Sequence, residues 1–428
     1  MHYFSFHENT LHAEQVCLAE LAEKHGTPTY VYSASTFRDR FKQLDEALSP
    51  LDHEVAYAVK ANSNLAILSM LHDLGASFDI VSGGELYRVV KAGGDPAKCT
   101  FAGVGKTREE IQYALDLGIH AFNVESEAEL NFINQVAGEA GKVAPVSLRV
   151  NPNVDAKTHK YISTGKSENK FGIDFDLIEA VFERASKMEH IALKGLQMHI
   201  GSQLTTVQPF QDAVTKVAPL AADLKAKYGI EFFSIGGGIG IIYDQALESG
   251  NPAWWDSHKA ENRPLTAAEY ASKLIPILQP LGLKILLEPG RYIAGNAGVL
   301  LTRCLYDKKG TAKTFKIVDA GMNDLIRPAL YEGHHEIVPV SQSGPSATIK
   351  TDVVGPVCET GDFFCQDREL PDFSEGDLLA LMSAGAYGAV MGSSYNSRPL
   401  PAEILVDGNK ATVVRKRQTL DDLLAQEL

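Results

Sequence analysis

The sequence predicts an α/β barrel joined to a mostly β domain, on three observations. Strand-like and helix-like runs alternate between residues 34 and 283, an eighth strand-like run follows at once at 284–288, and long helical runs stop after residue 296. Strands alternating with helices imply parallel βαβ units. Eight units in about 250 residues match a closed (β/α)8, or TIM, barrel. Repeat counting alone leaves an open doubly wound sheet as the other solution.

The eight runs are 54–60, 76–81, 99–104, 121–124, 145–150, 193–200, 232–235 and 284–288. Helical periodicity marks 65–74, 108–117, 126–137, 177–188 and 210–228. Residues 243–263, with Trp254-Trp255, read as an insertion after the seventh strand. The barrel is therefore expected over 34–283, with 284–291 as its last strand and loop. Residues 1–33 carry an amphipathic helix over 13–24 and a strand over 28–33, expected to join the β domain. That domain, within 284–428, shows strand-like runs at 298–305, 314–320, 336–340, 346–355, 377–384, 403–406 and 411–415. The last two flank Asp407-Gly408-Asn409-Lys410, a good hairpin turn. An antiparallel sandwich or barrel is expected, closed by a short helix over 420–426.

Composition narrows the function. The 428 residues are 45% hydrophobic and 22% charged, ordinary values for a soluble protein. A net charge of −14 with no basic cluster among aromatics argues against nucleic-acid binding. No apolar run reaches the length of a membrane span. The first residues carry His2, His7, Glu8 and His12 where a signal peptide needs an apolar core. Cys17, Cys99, Cys304, Cys358 and Cys365 form neither a disulfide framework nor a zinc spacing. A cytoplasmic protein is expected.

In an eight-stranded barrel, catalytic groups gather at the C-terminal ends of the strands. Here those ends carry Lys60, Arg149, His199 followed by Ser202, the triplet Gly236-Gly237-Gly238, and Glu288-Pro289-Gly290-Arg291. Each has a plain structural reading: a snorkelling lysine, a packed histidine, a tight turn, a Glu288–Arg291 ion pair. Five strand ends so equipped on one face are hard to obtain by chance. Each also has a job if the ligand is a phosphorylated aromatic aldehyde. A lysine amine condenses with an aldehyde. Successive N–H groups in a glycine loop bind a phosphate. A histidine stacks on a flat ring. A carboxylate such as Glu288 keeps a pyridine nitrogen protonated, which makes the ring an electron sink.

These residues carry a resemblance. The chain resembles the pyridoxal-phosphate enzymes with an alanine-racemase-type barrel, and within them the diaminopimelate decarboxylases. The motifs are Tyr57-Ala58-Val59-Lys60-Ala61-Asn62, Phe78-Asp79-Ile80-Val81-Ser82-Gly83-Gly84-Glu85, His199-Ile200-Gly201-Ser202-Gln203, the triple glycine, and Glu288-Pro289-Gly290-Arg291. In the β domain they are Met322-Asn323-Asp324-Leu325-Ile326-Arg327-Pro328-Ala329-Leu330-Tyr331, Cys358-Glu359-Thr360-Gly361-Asp362 and Ala384-Gly385-Ala386-Tyr387-Gly388. Where the family often shows Glu-Ser after the cysteine, this chain has Glu359-Thr360, which keeps the hydroxyl.

The resemblance implies pyridoxal 5'-phosphate as cofactor, anchored on Lys60. His199 would stack on its ring. Arg149, Ser202, Gly236, Gly237, Gly238, Glu288, Gly290, Arg291 and Tyr387 would complete the cofactor site, with Glu288 on the ring nitrogen. Arg291, Arg327, Tyr331, Glu359 and Tyr387 would bind a small amino-acid substrate. Cys358 would supply a proton. Cys358 and Glu359 would come from the second subunit of a homodimer.

The implied reaction takes meso-2,6-diaminopimelate to L-lysine and carbon dioxide, the last step of lysine biosynthesis. Arg327 and Arg291 suit a second carboxylate, and Glu359 suits an ammonium. A substrate without that carboxylate would strand a buried guanidinium, at roughly 3–5 kcal/mol. The rival readings are a decarboxylase of arginine, ornithine or carboxynorspermidine, a racemase, and a non-catalytic cofactor-binding protein. Two features stay open. Residues 166–172 read equally as a lid and as a plain exposed loop. His334-His335-Glu336 is taken as a solvated loop, and no metal is assigned.

Overall fold

The computed structural model describes residues 1–154, 170–342 and 347–427. Residues 166–169 of the segment read as a lid, and residue 346 of an expected strand, lie outside them. The chain divides into two compact units: residues 39–240 with 260–292, and residues 1–38 with 241–259 and 293–428.

The first is the barrel. Its strands are β1 (His53–Ala58), β2 (Ser77–Ile80), β3 (Cys99–Phe101), β4 (Ala121–Val124), β5 (Ala144–Asn151), β6 (Ile191–Gln197), β7 (Phe232–Ser234) and β8 (Lys284–Leu287). All neighbours are parallel, and β8 pairs back onto β1 through Leu286 and Glu54, which closes the ring. An open sheet is thereby excluded. The short strand Ile173–Asp174 pairs with β5 outside the ring. Phe78, Phe101, Phe122, Leu148, Leu196 and Phe233 are fully buried.

Polar residues just past the strands start the helices that follow. Asn64, Ser82, Thr107 and Ser126 cap Leu65–Asp73, Gly83–Lys91, Arg108–Leu117 and Glu127–Glu139, each accepting a bond from a first-turn backbone N–H. Thr107 and Glu110 form a full capping box.

The ladders stop earlier than the apolar pattern suggests. β1 ends at Ala58, and Lys60 lies in the single turn Val59–Ala61. β6 ends two residues before His199, and β8 ends just before Glu288. Val59, Ala61 and Ile200 stay buried beyond the ladders, so the hydrophobic run continues where the pairing does not. The polar groups therefore sit in the first turns above the rim.

The other unit is a mostly antiparallel sheet. Its order is Phe363–Pro371, Thr348–Val354, Thr314–Val318, Gly298–Lys309, Thr29–Ser33, Ala402–Asp407, Lys410–Arg415. Two of these pairings, Thr314–Val318 with Thr348–Val354 and Thr29–Ser33 with Ala402–Asp407, are parallel. Leu378–Leu381 pairs with both Gly298–Lys309 and Ile337–Pro339.

Two expectations are corrected here. Residues 241–259, counted from sequence within the barrel span, belong to the sheet unit. Ala246 packs with Val338 and Met382, and the Leu247 N–H donates to Glu336 Oε2 at 2.8 Å. The N-terminal helix is Leu18–His25 rather than 13–24, because Phe4–His7, Thr10–Ala13 and Val16–Cys17 form a small antiparallel sheet. Its first turn places Glu8 and Asn9 at φ 46° and 67°, which suits a tight hairpin.

Glu14 explains why the helix starts late. Its backbone is left-handed, at φ 53°. Its carboxylate accepts from Ser33 Oγ (2.8 Å), Ser35 N (2.9 Å), Ser35 Oγ (2.9 Å) and Gly408 N (2.6 Å). Glu14→Ala should strand these donors and destabilise the sheet unit by about 1–3 kcal/mol. Chemical denaturation checks it; an unchanged midpoint would mean that water replaces the carboxylate at no cost.

Candidate active site

On the barrel rim, the Lys60 amine donates to Asp79 Oδ2 at 2.6 Å. Asp79 is fully buried, while the Lys60 side chain keeps 39% of its surface exposed. The pair lets a charged amine end an apolar strand, and it leaves the amine within reach of solvent. Asp79 lies within the motif at 78–85 but was not among the expected site residues. A carboxylate inside a four-residue buried strand was the available signal.

Glu288 is a second buried carboxylate. It accepts from Ser234 Oγ (2.7 Å), Gln197 Nε2 (2.9 Å) and Asn123 Nδ2 (3.4 Å). Burial and the nearby charge of Asp79 push its pKa up to about 7, against the pull of Ser234, Lys60 and Gln197. The ion pair with Arg291 that the sequence left open does not form; Arg291 Nη2 donates instead to Ser202 Oγ at 3.1 Å. Gln197, Asn123 and Ser234 were missed. Asn123 and Ser234 are each the polar residue of an otherwise apolar strand, and Gln197 ends a strand whose last residues before it are Gly195 and Leu196.

His199 accepts the Gly237 N–H at Nδ1 (3.1 Å). Burial, then the charges of Arg149 and Lys60, hold its pKa well below the usual histidine range. The ring is neutral, as a stacking surface should be. Arg149, expected to touch a cofactor, is engaged by the Glu125 carboxylate at 2.8 and 3.0 Å and by the His199 carbonyl at 3.4 Å. Glu125 also accepts the Gly172 N–H at 2.9 Å. Arg149 thus supports the turn that carries His199.

The triple glycine is sterically required. Gly236 and Gly238 have φ of 71° and 112°. A Cβ on Gly237 would lie 2.1 Å from the Glu288 carbonyl oxygen, and one on Gly238 would lie 2.3 Å from that of Gly201. The loop after β7 is wedged against the loops after β6 and β8, which only glycine allows. Gly290 is buried in the turn that leads into Arg291.

In the sheet unit, the helix Arg327–Tyr331 carries a buried arginine and a half-buried tyrosine. Arg327 Nη1 donates to His335 Nε2 at 2.8 Å, and its guanidinium lies 4.5 Å from the centre of the Tyr243 ring. The expectation of a solvated 334–336 loop is overturned for His335, which is fully buried. Glu336 also turns inward, and burial pushes its pKa up to about 7. Tyr387 is half-buried with a left-handed backbone, φ 56°, a strained conformation typical of functional turns.

Cys358 and Glu359 project from the loop before Phe363–Pro371 and are exposed. The Cys358 N–H donates to Asn396 Oδ1 (2.8 Å), and Glu359 accepts from the Tyr395 hydroxyl (2.7 Å). Asp362 accepts the N–H groups of Val357 and Met322, both at 2.6 Å, which fixes the loop.

The rim residues fit pyridoxal phosphate. They provide an accessible amine, a neutral imidazole, a glycine turn and a buried carboxylate whose hydrogen-bond donors are all uncharged. A protonated pyridine nitrogen is the cation such a carboxylate lacks.

Glu288 also makes a prediction for the cofactor-free protein. Folded, it takes up a proton near pH 7, whereas its ordinary value is 4.5. The folded form holds more protons than the unfolded one between those values, so this group erodes stability as pH rises from 4.5 to 7. Glu288→Gln should flatten that loss. Denaturant midpoints at about pH 5 and about pH 8 test it, and equal pH dependence in both proteins would assign the proton elsewhere.

A family model described as pyridoxal-dependent decarboxylase, pyridoxal binding domain, matches residues 34–295. The diaminopimelate decarboxylase of Pseudomonas aeruginosa is 49% identical over 428 residues, covering 100% of this chain and 99% of its own length. That of Vibrio cholerae is 49% identical over 431 residues, with the same coverage. The crystal structure of diaminopimelate decarboxylase from Helicobacter pylori complexed with L-lysine has a TM-score of 0.88 at 42% identity, covering 96% of this chain and 99% of that one. The M. jannaschii enzyme in co-complex with L-lysine has a TM-score of 0.90 at 36% identity, covering 99% and 97%. The chain belongs to the diaminopimelate decarboxylases, within the pyridoxal-dependent decarboxylase family.

Proposed function

We propose that the chain uses pyridoxal 5'-phosphate to remove one carboxylate of meso-2,6-diaminopimelate as carbon dioxide, leaving L-lysine as the end of lysine biosynthesis. The observation that carries the choice of substrate is the buried Arg327, a fixed cation for a second carboxylate, in a chain alike over its full length to enzymes of this name. Substrates lacking that carboxylate would be disfavoured by at least about a hundredfold.

When bound, the cofactor supplies an electron sink for the pair left on the α-carbon as carbon dioxide departs. Lys60 is the amine that would hold its aldehyde end, with Asp79 keeping that amine in place. Glu288 would face the pyridine nitrogen, and a carboxylate that titrates near 7 can share a proton there. His199 would pack on the ring. Gly236, Gly237, Gly238, Ser202, Gly290, Arg291 and Tyr387 would complete the cradle, with Arg149 bracing His199.

Arg327, Arg291, Tyr331 and Tyr387 would bind substrate, and Glu359 its distal ammonium. Cys358 would place its thiol proton on the α-carbon. A thiol is a serviceable general acid when it is held against the carbon that takes its proton. Cys358 and Glu359 lie together on an exposed loop, which supports a homodimer in which each subunit lends them to the other. Five thiols without a disulfide framework suit work in the cytoplasm. No helix among the described residues is long and apolar enough to cross a membrane.

Carbon dioxide release from meso-diaminopimelate, L-lysine, L-ornithine and L-arginine, measured in parallel, tests the reading. Release should come from diaminopimelate alone, with L-lysine as product. Turnover of ornithine or arginine would keep the cofactor and overturn the substrate. Lys60→Ala should lose the cofactor's absorption band; an intact band would rule Lys60 out as the anchor. Mixing inactive Lys60→Ala and Cys358→Ala subunits should restore part of the activity. No recovery despite demonstrated subunit exchange would count against shared sites.

A further inference from the structure

His335 has no role in the assignments above, yet both of its ring nitrogens are engaged. Its Nδ1 lies 2.8 Å from the Met382 carbonyl oxygen, and its Nε2 lies 2.8 Å from Arg327 Nη1. A carbonyl only accepts and a guanidinium only donates. The ring must therefore carry its proton on Nδ1 and offer the Nε2 lone pair to Arg327. The surroundings fix the ring itself. Tyr243 meets it edge-on, with centroids 5.4 Å apart and planes at 82°, and Arg368 Nη1 donates to the His335 carbonyl at 2.6 Å. The same Tyr243 ring lies under the Arg327 guanidinium.

We propose that His335 is a positioning residue, which sets the Arg327 guanidinium for the carboxylate that the product retains. The inference rests on the reading of Arg327 as a substrate contact. An arginine side chain loses rotamer freedom when it binds an anion, and a fork already held in orientation loses less. His335 supplies a lone pair against one edge of the fork and Tyr243 a face beneath it. Selectivity for a substrate with a distal carboxylate would then depend on a histidine that never touches the substrate.

The test uses holoenzyme variants and three ligands. Diaminopimelate carries the distal carboxylate, L-lysine keeps it as product, and 1,5-diaminopentane has none. His335→Phe preserves a ring but removes both hydrogen bonds. It should raise KM for diaminopimelate about ten- to a hundredfold, leave kcat within about threefold, and weaken inhibition by L-lysine in parallel. Inhibition by 1,5-diaminopentane and the cofactor's absorption band should not move. His335→Gln, whose amide can donate to Met382 and accept from Arg327, should recover most of the loss.

Arg327→Met separates this inference from the reading beneath it. If Arg327→Met leaves KM for diaminopimelate unchanged, the assignment of Arg327 fails. If it raises KM while His335→Phe does not, or if the phenylalanine and glutamine variants are equally impaired, only the role of His335 fails. Weakening of all three ligands together by His335→Phe would show a general structural role and overturn the proposal. Should His335→Phe not fold, His335→Asn, too short to reach both partners, serves in its place. An unchanged KM in that variant would be equally fatal.

Discussion

Closure of eight parallel strands into a ring is the constraint on which the barrel's chemistry depends. Once β8 pairs with β1 through Leu286 and Glu54, every strand must point the same way, and every C-terminal end must reach one rim. Lys60, Arg149, His199, the glycine turn and Glu288 are spread over more than two hundred positions of sequence. The ring assembles them without any of them having to seek another. The glycines are the tightest part of this arrangement, since a single added carbon at Gly237 would strike the backbone of the neighbouring strand's loop.

Bringing these groups together carries an electrostatic cost that the chain distributes unevenly. Asp79 and Glu288 are both buried and close enough for the charge of one to raise the pKa of the other. Asp79 has Lys60 as a direct counter-ion. Glu288 has only neutral donors, and it answers burial by holding a proton more strongly. Carboxylates in unlike surroundings acquire unlike roles, one the ion-pair partner of a lysine and the other a group that holds its proton more strongly. A fold tuned only for stability would replace either by an apolar residue.

Much of this was legible in the sequence. The eight-fold alternation pointed to the barrel, because strand and helix periods differ. The strand-end residues were found because charged side chains interrupt apolar runs. What stayed hidden depends on contacts remote in sequence. The pairing of Arg149 with Glu125, and the passage of residues 241–259 into the sheet unit, leave no periodic trace. Glu14 reads as a first-turn helix residue until its four donors, drawn from two distant segments, are seen. The strand ends were overrun because burial outlasts the hydrogen-bond ladder at Val59 and Ile200.

His335 shows how far a local reading can fall from the fold. Beside His334 and Glu336, in a stretch with glycine and glutamate on either side, it looks solvated or metal-binding. Burial changes its chemistry. A buried imidazole flanked by a carbonyl and a guanidinium has one tautomer, so its role is fixed by its neighbours. The same logic applies to the neutral ring of His199, whose Nδ1 is committed to the Gly237 N–H. Burial, with the charges of Arg149 and Lys60 beside it, holds that ring uncharged. In both cases the fold uses the imidazole as a support whose nitrogens are committed to fixed partners.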